Sequence, residues 1–72
     1  MGGLIPFRDI NGKIKFAKRI RLIKHKVRDA INNRYFTEVW VEVLVVGKNR
    51  NEEWVEYYPV GKFKQLNPGI KL

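Results

Sequence analysis

The side chains best suited to acid–base chemistry in this sequence are Glu42, Glu56 and the only histidine, His25. Glu42 and Glu56 are expected to face each other across a predicted hairpin, and paired carboxylates can bind a divalent cation or transfer protons. Glutamates on strands also keep an edge or an outer face soluble, and we favour that interpretation. His25 lies within a run of cations, where we expect a solvated side chain rather than a catalytic base.

The usual nucleophiles are missing. The chain has no serine and no cysteine, and Thr37 is its only threonine. Nucleophile–base pairs and thiolate or histidine-rich metal sites are therefore excluded. Gly47-Lys48 lacks the spacing of a phosphate-binding loop. We expect a protein that is not an enzyme and that uses no metal or other cofactor.

The strongest chemical signal is a basic segment, residues 13–28, which holds eight Lys or Arg among sixteen residues and no carboxylate before Asp29. The whole net charge of +8 lies in residues 1–35, because residues 36–72 carry five cations and five glutamates. Cations placed near phosphates release condensed counterions, so this segment favours a polyanion. The residues expected to contact nucleic acid are Lys13, Lys15, Lys18, Arg19, Arg21, Lys24, Lys26 and Arg28, with Lys48 and Arg50 in a later loop.

These cations predict a small basic nucleic-acid-binding protein that contacts mainly the phosphate backbone, with DNA slightly preferred to RNA. The alternative is a structural or interaction protein, such as a virion or ribosome component or an oligomeric inhibitor of a host protein. The predicted hairpin over residues 36–60 motivates this alternative. Its two strands carry glutamates and tryptophans, and aromatic anchors are common at interfaces. Homo-oligomerisation or binding of a protein partner would then use this hairpin.

Two elements must position the basic segment. Residues 4–16 are predicted to form a β-hairpin, because Asn11-Gly12 permits a tight reversal. Residues 16–33 are predicted to form an amphipathic helix, because apolar residues recur at steps of four and three from Phe16 to Ala30. A long twisted strand over 13–23 is the competing prediction, since Ile14, Phe16, Ile20 and Leu22 also alternate.

The clearest predicted element is a second β-hairpin over residues 36–60, closed by a loop over 47–51. With that loop Val43 opposes Val55 and Val41 opposes Tyr57, which makes one apolar core face. The opposite face is then predicted to carry the residues of a possible interface, Trp40, Leu44, Trp54 and Tyr58. Residues 62–66 are predicted to form a short last strand, and 67–69 a turn.

These elements predict one α+β domain spanning residues 1–72, with two β-hairpins and a basic helix between them that packs on the sheet. An all-β small barrel is the alternative fold. No stretch approaches the roughly 20 apolar residues of a membrane span, and the N-terminus does not resemble a signal peptide. We therefore expect no membrane association and a cytoplasmic location, or packaging in a nucleoprotein particle.

Overall fold

The computed structural model describes residues 3–49 and 51–72, which form a four-stranded antiparallel sheet followed by one short helix. The strands lie in the order in which they occur in the chain. Their bounds are β1 Ile5–Arg8, β2 Ile14–Asp29, β3 Arg34–Val46 and β4 Glu53–Pro59, and the helix α1 spans Val60–Leu66. The sheet is curled, and the fold is closer to the predicted all-β alternative than to the α+β main prediction.

The predicted helix over 16–33 is wrong, because these residues form most of β2 and the turn after it. The competing prediction of a strand over 13–23 gives the correct secondary structure, but the strand continues to Asp29. Ile20 and Leu22 lie on one face of the sheet, whereas Ile23 and Val27 lie on the other. Apolar residues on both faces of a strand produce the same spacing of three and four that one face of a helix produces.

A β-bulge between Ala17 and Arg19 sets which side chains of β2 face the core. Ala17 pairs with Val45, and Arg19 pairs with Leu44, so Lys18 is the extra residue. Beyond the bulge the alternation is shifted by one, which brings Ile20 onto the same face as Ala17. We call the face that contains Val41, Val43 and Val45 the core face, and its opposite the outer face.

The hairpin predicted over 36–60 is present as β3 and β4, but its register differs by one residue from the prediction. Val43 pairs with Glu56 and Val41 with Tyr58, because the connecting segment spans 47–52. A shift of one residue exchanges the two faces of a strand. Trp54 and Tyr58 therefore lie on the core face, whereas Trp40 and Leu44 lie on the outer face. The four residues predicted as one interface do not share a surface, and Tyr58 is buried.

The same register separates the two candidate carboxylates. Glu42 pairs with Tyr57, and Glu56 pairs with Val43, so their side chains point to opposite faces of the sheet. The predicted pairing of Glu42 with Glu56 is therefore wrong, and the acid–base or metal site that depended on it is not formed.

The core lies between the core face and α1. It contains Phe7, Ala17, Val41, Val43, Val45, Tyr58 and Phe63. Phe63 is fully buried and lies 5.5 Å from the Tyr58 ring and 6.2 Å from the Phe7 ring, measured between centroids. Residues 62–66 are thus helical rather than the predicted last strand, because a helix places Phe63 over the sheet while Lys62 and Lys64 stay exposed.

The side chain of Asn67, directly after α1, completes the outer edge of β1. Its Oδ1 accepts a hydrogen bond from the backbone N–H of Arg8 at 2.6 Å, and its Nδ2 donates to the Arg8 carbonyl at 3.0 Å. One amide thus satisfies both backbone groups of an edge residue, as a neighbouring strand would. The predicted turn at 67–69 is confirmed, since the Ile70 N–H donates to the Asn67 carbonyl.

The strands β2 and β3 extend well beyond their neighbours. β1 covers β2 only to Ala17, and β4 covers β3 only to Trp40, so six further residue pairs are joined to each other alone. We call residues 24–39 the arm and the remainder the body. The arm makes the molecule 46 Å long and 25 Å wide. Its radius of gyration is 14.4 Å, against about 11 Å for a compact domain of this length.

Replacing Asn67 with alanine is expected to destabilise the protein by about 2 kcal/mol, because the Arg8 N–H and carbonyl lose their partner. For a domain of this size the melting temperature should fall by roughly 8–16 °C. Thermal unfolding followed by circular dichroism measures this shift. Asn51→Ala, at an exposed turn position, is the matched control. Equal melting temperatures for the two variants would contradict this role of Asn67.

Candidate nucleic-acid interface

Three cations lie in a row on the core face of the arm. Lys24 pairs with Val39, Lys26 with Thr37 and Arg28 with Tyr35, so all three continue the face that Val41 begins. Each of the three is exposed. Successive side chains on one face of a strand are about 6.8 Å apart, so the row spans roughly 14 Å.

The cations of this row have no carboxylate partner. Among residues 3–49 and 51–72, no ion pair within 4.0 Å involves Lys24, Lys26 or Arg28. The Lys26 ammonium instead lies 5.1 Å from the centre of the Tyr35 ring, a cation–π contact. Arg28 donates a 3.3 Å hydrogen bond to the side-chain oxygen of Asn33. The positive charge of the row is therefore available to an external anion.

The β2 cations of the body differ, because all four of them, Lys15, Lys18, Arg19 and Arg21, lie within 4.0 Å of a carboxylate. Lys18 pairs with Glu53. Arg21 donates through Nε to a Glu42 carboxylate oxygen at 2.6 Å, and Arg19 lies 3.8 Å from the same oxygen. The contact with Arg21 is the main reason why the pKa of Glu42 lies below its usual value. These three predicted contact residues are therefore held in ion pairs within the body.

Lys15 belongs to a polar cluster at the rim of the core. Its ammonium lies 2.9 Å from a Glu56 oxygen and 3.0 Å from an Asp9 oxygen. Glu56 also accepts hydrogen bonds from Tyr58 at 2.6 Å and from Trp54 at 2.8 Å. The contact with Glu56 raises the pKa of Lys15 despite the opposing effect of burial. Every polar group of this cluster has a partner, which is typical of a structural network.

The remaining predicted cations lie at the end of the body opposite the arm. Lys13 and Lys48 line a groove of about 800 Å³ together with Phe16 and Trp54. The sixteen residues of β2 separate Lys13 from the tip of the arm, along the 46 Å length of the molecule. The structure therefore does not bring these lysines together with the arm. Arg50 lies outside the described residues.

The tip of the arm carries residues that the sequence analysis did not select. Four residues, 30–33, connect β2 to β3. Asp29 accepts hydrogen bonds from the backbone N–H of Ile31 at 3.1 Å and from the Nδ2 of Asn32 at 2.8 Å. The hydrogen bond from the Asn32 side chain is the main cause that lowers the pKa of Asp29. Asn33 adopts a left-handed conformation with φ of 51°, which asparagine tolerates well.

Arg34 adds a fourth cation at the tip, beside Asp29 in the ladder but on the outer face. The consecutive asparagines Asn32 and Asn33 are a sequence signal for a reversal of the chain. The predicted helix of residues 16–33 ends at Asn32 and Asn33, whereas these two residues form the turn of a hairpin, because both structures use a left-handed residue to reverse the chain.

No protein-family model, curated protein or solved structure matches this chain. Within the described residues, no group of three or more His, Asp or Glu side chains is placed to hold a metal ion. No helix in that part of the chain is long and apolar enough to cross a membrane.

The polar cluster predicts how stability depends on pH. Burial alone would raise the pKa of Asp9 and Glu56, but hydrogen bonds outweigh it and lower both from their ordinary values of 3.8 and 4.5. Ionised carboxylates therefore stabilise the fold above those values, and this contribution is lost as the pH falls through the lower folded-state pKa. We expect the melting temperature to be level near pH 6–7 and to fall below roughly pH 5.

Glu56→Gln should make the fall in melting temperature below pH 5, the acid limb, less steep, because one of the four carboxylates with a lowered pKa is removed. Glu52→Gln, at an exposed position in the adjoining turn, should leave the limb as in the wild type. Melting temperatures measured from pH 3 to pH 7 test this. Parallel profiles for the wild type and Glu56→Gln would show that the cluster does not govern acid stability.

Proposed function

We propose that the protein binds duplex nucleic acid through the arm, with Lys24, Lys26, Arg28 and Arg34 against phosphates. The observation that carries this proposal is the contrast within β2. The four cations of β2 that lie in the body, Lys15, Lys18, Arg19 and Arg21, are each within 4.0 Å of a carboxylate, whereas its three arm cations, Lys24, Lys26 and Arg28, have no such partner among the described residues. Cations free of internal partners lose least when they move to a phosphate, because no ion pair must first be broken.

The shape of the arm supports a groove-following mode of binding. A two-stranded ribbon is narrow enough to enter a groove of B-form DNA. The deep groove of A-form RNA is too narrow for side chains to read, and its other groove is shallow. We therefore favour DNA over RNA. Lysines and arginines in a regular row contact phosphates that every sequence presents, so base selectivity should be weak.

Binding, rather than catalysis, is the activity that we propose. The sequence offers no serine or cysteine nucleophile, and the only carboxylate–lysine cluster is internally satisfied among the described residues. Nothing in the proposed mode of binding requires a cofactor.

Affinity for duplex DNA should fall steeply with salt. Four phosphates neutralised by the arm correspond to a slope of roughly −3.6 in a plot of log K against log salt concentration. Replacing Lys24, Lys26 and Arg28 together with glutamine should reduce the slope by about 2.7. Fluorescence anisotropy with a labelled 20-base-pair duplex at several salt concentrations measures both values.

A matched control removes the same charge from the body. Lys13, Lys48 and Lys71 are exposed and lie away from the arm, and their replacement with glutamine should leave most of the slope intact. If the control weakens binding as much as the arm variant, the arm is not the interface. If the wild type does not bind duplex DNA at low salt, the proposed function is wrong.

A second candidate function, self-association, is favoured by the outer face of the whole sheet, including the arm. This face exposes about half of Phe16, Val55 and Tyr57, beside Trp40 and Leu44. The ladder register places four cations on it, Arg8, Arg19, Arg21 and Arg34, and four carboxylates, Asp29, Glu38, Glu42 and Glu53.

A face that is neutral in sum does not repel its own copy, in contrast to a chain of net charge +8. A two-fold axis would set arginines of one copy against carboxylates of the other, around the apolar residues. We therefore propose a second copy of this chain as the occupant of the outer face, by packing of sheet on sheet.

Light scattering at increasing concentration tests this second candidate. The wild type should form a dimer, and Val55→Lys should shift it to the monomer, because a charge in an apolar interface must be desolvated. Lys62→Glu, at an exposed position of α1, is a control for a change of charge away from the outer face. A monomeric wild type at the highest concentration reached would exclude this dimer.

A further inference from the structure

The most exposed large apolar side chain at the tip of the arm is Ile31, of which 93% is accessible. Its backbone is held, because Asp29 accepts hydrogen bonds from the N–H groups of Ile31 and Asn32. Asn32 adds a bond from its side chain to the other oxygen of Asp29 at 2.8 Å. The turn therefore presents an isoleucine outward from a defined backbone rather than from a loose loop.

Single exposed apolar residues are common on flat protein surfaces and need no explanation. Ile31 differs in position, because it stands at the end of a row of cations and at the far end of a 46 Å molecule. Its neighbours Asn32 and Asn33 carry amide groups, which can donate to and accept from base edges and sugars. In proteins that bind the minor groove, apolar side chains often insert between base steps, partly unstack them and kink the duplex.

We propose that Ile31 is a wedge that enters duplex DNA between two adjacent base pairs, so that the protein bends the DNA it binds. This inference rests on the proposed function, since the cations of the arm would hold the duplex against which the tip acts. Ordering of the turn by Asp29 means that little conformational entropy is lost when the wedge inserts.

The same tip suits a lipid surface less well. One isoleucine supplies little apolar area, and even a myristoyl chain gives only marginal membrane binding. Asp29, Asn32 and Asn33 surround it with polar groups that would have to leave water. We therefore commit to duplex DNA and treat the lipid surface as an outcome of the test.

The experiment measures bending and affinity separately. A 20-base-pair duplex carries a fluorescent donor at one end and an acceptor at the other, so bending raises the efficiency of energy transfer. The wild type should raise it, and Ile31→Ala should bind without raising it, with an affinity lowered by roughly three- to tenfold. A single mismatch in the duplex lowers the cost of unstacking, so the wild type should prefer the mismatched duplex and Ile31→Ala should lose that preference.

Ile10→Ala is the matched control, because it makes the same substitution at another exposed isoleucine. Ile10 is 57% exposed and lies in the turn at the other end of β2. It should bend DNA as the wild type does. Salt-dependent binding by a wild type that leaves the duplex straight would overturn the wedge and leave the proposed function standing. Equal bending by Ile31→Ala and the wild type would also overturn it. Absence of duplex binding, with Ile31-dependent binding to vesicles of anionic phospholipid, would overturn both.

Discussion

The amount of apolar side chain available to the core sets the shape of this protein. Seven buried residues form the core, and on the core face of β2 and β3 the last apolar pair is Leu22 with Val41. Beyond that pair every rung of the face carries a cation, Lys24, Lys26 or Arg28, and burial of these charges without partners would be strongly unfavourable. No second layer can therefore cover the ladder past this point, and the two strands continue as an arm.

The arm depends on the body for its order. An isolated two-stranded hairpin is at best marginally stable in water, but β2 and β3 enter the arm already paired and in register. The tip supplies a second fixed end, because Asp29 holds the turn. Order at both ends limits the conformations of the six pairs between them, so a short uncovered ribbon can keep its cations in one row.

Much of the sheet could be predicted from the sequence, but the distribution of residues between its faces could not. Asn11-Gly12 and the alternating valines indicated two hairpins, since turn chemistry and a period of two are local signals. The bulge at Lys18 has no local signature, and it moves Ile20 and Lys24 from one face to the other. One extra residue in the connection after Val46 likewise exchanged the faces of Trp54 and Tyr58. The candidate cations could be identified from their residue types. Which of them pair with carboxylates depends on the bulge and on the longer connection, so it could not be predicted.

The unpaired row of cations costs the fold little. Two unit charges about 6.8 Å apart repel by roughly 0.6 kcal/mol in water, and a screening length of about 8 Å at physiological salt reduces this further. The arm therefore needs no internal carboxylates to stay folded, whereas Lys15, which is partly buried beside the core, is held by Asp9 and Glu56. Pairing along β2 depends on the carboxylates of the neighbouring strands rather than on burial, because Lys18, Arg19 and Arg21 are about half exposed and still pair with Glu42 or Glu53. Solvent exposure weakens the repulsion between the charges of the arm and also leaves them accessible to a polyanion. The same residues can therefore bind a polyanion without destabilising the fold.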